Sequence, residues 1–171
     1  MMPNPAEEII QIVDIDNREI AAIARHLMRE QHLIHRASYI LVFNAAGELF
    51  VQKRTMSKDI YPGYWDVAAG GVVLAGESYE ESAERELAEE LGVSGVKLHF
   101  LFDQYYEDED NRVWGRIFTC TFEGPFTLQP EEVEYGRFME PCIALDYSNI
   151  EPFTPDGIVL LKKLLDQEEA V

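Results

Sequence analysis

Basic residues are scarce in this chain, with 14 Lys and Arg against 32 Asp and Glu and a formal net charge of −18. Such a surface repels a nucleic-acid duplex, which excludes that class of partner. A small polyanion is disfavoured too, unless a bound cation inverts the field locally. Cysteine is equally sparse: Cys120 and Cys142 lie far apart with no CxxC or Cys/His spacing. Neither a structural zinc nor a disulfide framework is indicated, and a reducing cytoplasm is the expected compartment. No apolar run approaches the roughly 18 residues that a membrane span needs. The first eight residues lack a basic segment leading into an apolar stretch, so the protein is expected to be neither exported nor membrane-inserted. Internal repeats and low-complexity linkers are also missing. What remains is 171 residues with 47% hydrophobic content, enough core for one soluble domain over residues 1–171.

Residues 9–14 read as a strand, Asp16-Asn17 as a turn, and residues 18–24 as a second extended piece before a short helix at 25–30; residues 1–35 thus form an N-terminal extension. Residues 38–43 and 48–54 are β-rich and separated by Asn44-Ala45-Ala46-Gly47, the chemistry of a hairpin turn. Residues 55–64, with Pro62-Gly63, read as a loop, and 65–69 as a short strand running into Gly70-Gly71. Further strands are expected at 96–102, 113–122 and 135–139, with an acidic loop at 106–111. Residues 155–167 carry Ile158, Leu161, Leu164 and Leu165 on one side and read as a C-terminal helix. Strands on both sides of one central helix make the class α/β or α+β, in three layers.

The central helix runs from Tyr79 to Leu91. Ser78 and Glu81 have the spacing of a capping box, and Gly92 suits a helix C-terminus. At 100° per residue Ala83, Leu87 and Leu91 share one stripe, while Glu86, Glu89 and Glu90 converge on a neighbouring arc. Like charges four apart destabilise a helix by a few tenths of a kcal/mol, so a compensating Mg²⁺ or Mn²⁺ is the natural candidate. These hard cations take oxygen ligands and retain waters. Standing alone, the carboxylates would read as a solvated face. They stand instead in an order: Gly71, Glu77, Arg85-Glu86-Leu87, Glu89-Glu90 and Gly92-Val93.

That order resembles the complete box of Nudix hydrolases over residues 71–93, whose family fold is an α/β/α sandwich with a mixed sheet, here preceded by a β extension. The resemblance implies cleavage of a phosphoanhydride in a nucleoside diphosphate linked to another moiety. It maps Glu86, Glu89 and Glu90 onto catalytic metal ligands, with the Gly70 carbonyl as a further ligand. It maps Gly71, Glu77 and Arg85 onto the supporting structure. The physical chemistry agrees, since Arg85 can hold Glu77 bidentately and Gly70-Gly71 lets the backbone come close. The expected reaction is attack on phosphorus by a metal-activated water, its proton passing to Glu86 or to a downstream acid. Glu107, Asp108, Glu109, Asp110, Glu131, Glu132 and Glu134 are candidates for that acid. Arg54 and Lys53 are expected to meet substrate phosphate, with Lys58, Arg112 and Arg116 behind them. Tyr64, Trp65, Tyr105, Tyr106 and Trp114 offer stacking faces or simply core.

The segments His32-Leu33-Ile34-His35-Arg36-Ala37-Ser38 and Tyr61-Pro62-Gly63-Tyr64-Trp65 resemble those of isopentenyl-diphosphate isomerases. Those isomerases carry a Cys and a His where this chain has Gly70 and Val72, so isomerase chemistry is disfavoured and His32 and His35 are expected to be structural. A non-catalytic nucleotide-binding Nudix module is the other alternative. The apolar N-terminal strands and C-terminal helix make a homodimer possible.

Overall fold

A computed structural model of the chain describes residues 4–169; the first three and last two residues of the expected 1–171 unit lie outside it. Past a 3-10 turn at Pro5–Glu7, strands β1 (Ile9–Val13) and β2 (Glu19–Ala24) pair as an antiparallel hairpin. The Asp14 carboxylate accepts the Asp16 and Arg18 amides, each at 2.9 Å, and so makes the turn. Helix α1 (Arg25–Glu30) comes next, then β3 (His35–Phe43), β4 (Leu49–Arg54), β5 (Trp65–Asp66) and β6 (Ala69–Val72). Helix α2 (Tyr79–Leu91) leads to β7 (His99–Glu107), β8 (Arg112–Thr121) and β9 (Val133–Met139), and α3 (Pro141–Tyr147) and α4 (Pro155–Glu169) end the chain.

Strand β3 organises the nine-stranded sheet. It runs parallel to β8 from His35↔Val113 to Phe43↔Thr121 and antiparallel to β6 from Ala37↔Val72 to Ile40↔Ala69. Strand β7 adds to β8, while β4 pairs with β9 and β5. Because side chains alternate along a strand, Ile40 and Val42 of β3 pack with Ala83, Leu87 and Leu91 of α2. Leu41 faces the other way and packs with Leu160, Leu161 and Leu164 of α4. Helix, sheet and helix therefore stack as the three expected layers. The Ala83, Leu87 and Leu91 stripe read from the sequence is buried. Gly92 closes α2 at φ 67°, the left-handed conformation that glycine adopts freely.

Several local expectations are corrected. The expected strand at 96–102 lies instead at His99–Glu107, so Tyr106 and Glu107 belong to β7 and only 108–111 turn. The Asp108 amide bonds the Asn111 carbonyl at 2.8 Å, which sets the tighter turn. The strand expected at 65–69 is split into β5 and β6, which pair with different partners. Strands β3 and β4 share only the pair Phe43↔Leu49 and then diverge. Helix α3 has no counterpart among the expected elements; it is short and starts at Pro141, which suits a first helical turn. In α4, Leu160 is fully buried, whereas Ile158 and Leu165 are only partly so. Of the capping box, the Ser78 half forms, with the Glu81 amide donating to Ser78 Oγ at 3.1 Å.

Candidate functional site

Helix α2 leaves the edge of β6 with its first turn capped, and its packing stripe fixes its rotation about the helix axis. Glu86 and Glu90 are thereby aimed at the Gly70-Gly71 backbone. Gly71 shows how close that approach is: a Cβ there would lie 2.8 Å from Glu86 Cδ. At Gly70, with φ 135°, a Cβ would meet the Ser38 carbonyl oxygen at 2.0 Å, so this backbone admits no cysteine in the isomerase position. The Gly70 amide and Gln52 Nε2 of β4 both donate to Glu90 Oε2, each at 3.3 Å.

Arg85 ties the cluster together. It donates to Glu77 from Nε at 2.7 Å and from Nη2 at 3.0 Å, and to Glu86 from Nη1 at 2.8 Å. Glu89 takes a longer bond from Nη1 at 3.3 Å. Burial disfavours the guanidinium charge, but the Glu77 and Glu86 carboxylates outweigh it and hold Arg85 firmly protonated. Burial likewise pushes Glu77 up, and its bond to Arg85 reverses this to a net lowering. Glu90 is only 4% exposed; burial and the neighbouring Glu86 charge push its carboxyl well above the ordinary range. Burial also raises Glu86, against the pull of Arg85.

Among the described residues no three His, Cys, Asp or Glu side chains already converge as a ready-made cation cage. The bonds to Arg85 account for this at Glu86 and Glu89, which are turned onto the guanidinium. The donor set nonetheless suits a hard divalent ion. It offers carboxylate oxygens, a close backbone, and a buried Gln52 Oε1 that makes no hydrogen bond beside Glu90. Two raised carboxyls facing one cavity are the electrostatic state that a cation relieves. Glu86, Glu89, Glu90 and the Gly70 carbonyl are the groups available to hold it.

Around them, a cavity is lined also by Glu8, Arg25, Lys58, Gln129 and Glu132. Of the downstream acids, Glu132 reaches this cavity, where it pairs with Lys58. The others do not line it. Glu107 bonds Arg112 at 2.6 Å, and Asp108 accepts the hydroxyls of Tyr61 and Tyr106. Glu109 and Asp110 line a separate cavity with His32 and Asp59, and the Glu131 carbonyl takes the Thr55 hydroxyl.

Arg54 lines an adjoining cavity, donating to the Ile60 carbonyl at 2.9 Å. Lys53 lines neither, since it precedes Arg54 directly on β4, where successive side chains point to opposite faces. Arg112 and Arg116 are committed to Glu107 and to Asp103. Trp65 packs in the α4-side core, Tyr64 lies against Tyr61, and Tyr105 tilts against Trp114. His35 is buried, which lowers its pKa to about 3, with Arg29 adding to the effect. His32 bonds the Asp108 carbonyl at 3.0 Å.

Several residues at the two cavities are not singled out by the sequence. Arg25 and Arg29 both bond Asp59, and Tyr39, Asp66, Thr154 and Asp156 line the inner part of the adjoining cavity. They are brought together from α1, β3, β5 and the start of α4. No local spacing signals that convergence.

A family model described as NUDIX domain matches residues 33–157. An uncharacterized Nudix hydrolase of Pseudomonas aeruginosa is 44% identical over 159 residues, covering 93% of this chain and 94% of the relative. The uncharacterized Nudix hydrolase YfcD of Escherichia coli is 44% identical over 154 residues, covering 90% and 84%. Among solved structures, DR0079 from Deinococcus radiodurans superposes with a TM-score of 0.81 at 23% identity over 91% of this chain and 98% of that one. A Caenorhabditis elegans Ap4A hydrolase does so at 0.59 and 18%, over 80% and 98%. At those identities the structural likeness carries the fold alone.

Proposed function

The chain belongs to the Nudix hydrolase family, and from that premise we propose that it cleaves the phosphoanhydride of a nucleoside diphosphate linked to another moiety, with Mg²⁺ or Mn²⁺ held by Glu86, Glu89, Glu90 and the Gly70 carbonyl. The observation that carries this reading is the pair of carboxylates, half-buried Glu86 and buried Glu90, facing the Gly70-Gly71 backbone, with no room for a side chain between Gly71 and Glu86. A bound cation supplies neutralisation of phosphate charge and a water of lowered pKa.

The protein's own groups supply the rest. Arg85 and Glu77 hold the loop against the helix. Lys58 and Arg25 stand where the two cavities meet and bind the phosphates, with Arg54 behind them. One carboxylate takes the water's proton, Glu86 or Glu132; support for Glu132 is that it lines the same cavity as Glu86 and Glu90. Exposed Ile15 and Ile20 at the N-terminal hairpin support a homodimer, which sedimentation velocity tests. No described helix is long and apolar enough to cross a membrane, and an exposed free Cys142 suits a reducing cytoplasm.

The test is turnover of a panel of nucleoside diphosphate derivatives, dinucleotides and sugar nucleotides with Mg²⁺ or Mn²⁺. Wild-type protein releases phosphate or a nucleoside monophosphate, and Glu90→Gln does not. No turnover across the panel, with the two proteins indistinguishable, overturns the reading.

A further inference from the structure

The cavity beside the carboxylates has an inner wall with more hydrogen-bond acceptors than the protein satisfies. It shares Arg25, Lys58, Gly70 and Gly71 with the carboxylate cavity, so a phosphate at that junction directs the remainder of its molecule inward. There Tyr39 donates its hydroxyl to Asp156 Oδ2 at 2.7 Å. Asp66 Oδ1 accepts the Ala68 amide at 3.1 Å, and Arg54 approaches Asp66 Oδ2 at 3.5 Å. Two oxygens fall short of full hydrogen-bond geometry on residues only 7% and 2% exposed: Asp156 Oδ1, near the Asp156 and Gly157 amides, and the Thr154 hydroxyl, near Asp66. A buried carboxylate oxygen without a well-placed donor, beside a hydroxyl that is itself poorly paired, is destabilising. Both oxygens stand beside a cavity whose rim carries Arg25, Arg29, Arg54 and Lys58. An apolar chain entering it would seal those oxygens from water; a group bearing N–H or O–H donors would satisfy them.

Resting on the hydrolase reading, we propose that this cavity holds the head group of the diphosphate substrate, and that Asp156 and Thr154, with Asp66 beside them, select head groups carrying adjacent hydrogen-bond donors. The donors are sugar hydroxyls or the amino group of a base. Isoprenoid and other apolar diphosphates are rejected, because they leave the wall unpaired. A site built to pair polar groups discriminates strongly against an analogue that lacks them.

The experiment measures kcat/KM with Mg²⁺ on two matched pairs, CDP against UDP and UDP-glucose against its 2-deoxyglucose analogue, with isopentenyl diphosphate as the apolar reference. Discrimination of about tenfold or more in the first pair assigns the donor to the base, and in the second pair to the sugar. Asp156→Asn turns the poorly paired acceptor into a donor, and Thr154→Val removes the hydroxyl at nearly constant volume. Either variant is expected to bring the favoured pair to within about twofold by lowering kcat/KM on its favoured member. Thr154→Val also covers a failure of Asp156→Asn to fold, because it leaves the bond from Tyr39 to Asp156 intact. Turnover without discrimination in either pair overturns the proposal, as does discrimination that survives in both variants. If none of these compounds is turned over, the hydrolase reading is decided by its wider panel, and calorimetric binding of the same pairs with Mg²⁺ decides the cavity. Equal affinities within both pairs then overturn the head-group assignment.

Discussion

Arg85 bonds Glu77, Glu86 and Glu89 at once, and an ammonium cannot reproduce that fork. Arg85→Lys is expected to weaken Mg²⁺ affinity by about 10–100-fold, the usual range for a partner that orients ligands, as read by calorimetric titration. A second expectation concerns pH. Buried His35 takes up no proton until the pH falls to about 3, whereas the unfolded imidazole titrates near 6.5. Between those values the unfolded chain binds more protons, so this residue's share of stability falls as the pH drops through that window. The slope is at most about 1.4 kcal/mol per pH unit. His35→Gln should flatten the difference in urea midpoints between pH 7 and pH 4.5; an unchanged difference would count against a neutral buried imidazole. The bonding of Arg85 to Glu77 was readable because the order of residues 71–93 resembles the Nudix box; without that resemblance the same carboxylates read as a solvated face. His35 was assigned a structural role from what the sequence failed to supply around it, and its burial explains why it is neutral.

At the scale of elements, Gly70 and Gly71 separate support of the fold from support of the site. Gly70→Ala drives a methyl into the Ser38 backbone and should cost at least about 3 kcal/mol by loosening β6 from β3. Gly71→Ala meets only the flexible end of Glu86. It should leave thermal stability close to wild type and impair cation binding, a split that differential scanning fluorimetry with and without Mg²⁺ would reveal. Ser78→Ala removes the one side-chain cap of α2 and should cost about 1 kcal/mol. Helix α2 was legible in full because a cap, a 3.6-residue stripe and a terminal glycine agree with one another. Strand β7 was misplaced because its apolar pattern starts earlier than its hydrogen-bonded partners, and pairing with β8 overrides pattern. Helix α3 escaped because it is too short for periodicity to register.

For the molecule as a whole, the excess of acid sets the terms. With a formal charge of −18, the folded chain repels itself, and a divalent ion bound only by the folded state stabilises it by about 2.7 kcal/mol at a hundred times its dissociation constant. Mg²⁺ should therefore raise the melting temperature of wild type but not that of Glu90→Gln, and chelation should reverse the shift and abolish turnover. The layer arrangement followed from the alternation of strands and helices, whereas the adjoining cavity did not, since Tyr39, Asp66 and Asp156 converge only through the sheet order. That order has a kinetic side. The central strand finds its parallel partner far along the chain, Ile40 opposite Phe118, and non-local pairing of this kind slows folding. On the ribosome, residues 35–43 must wait for residues 112–121 to emerge, and during that interval their apolar edges are open to chaperones and to aggregation alike.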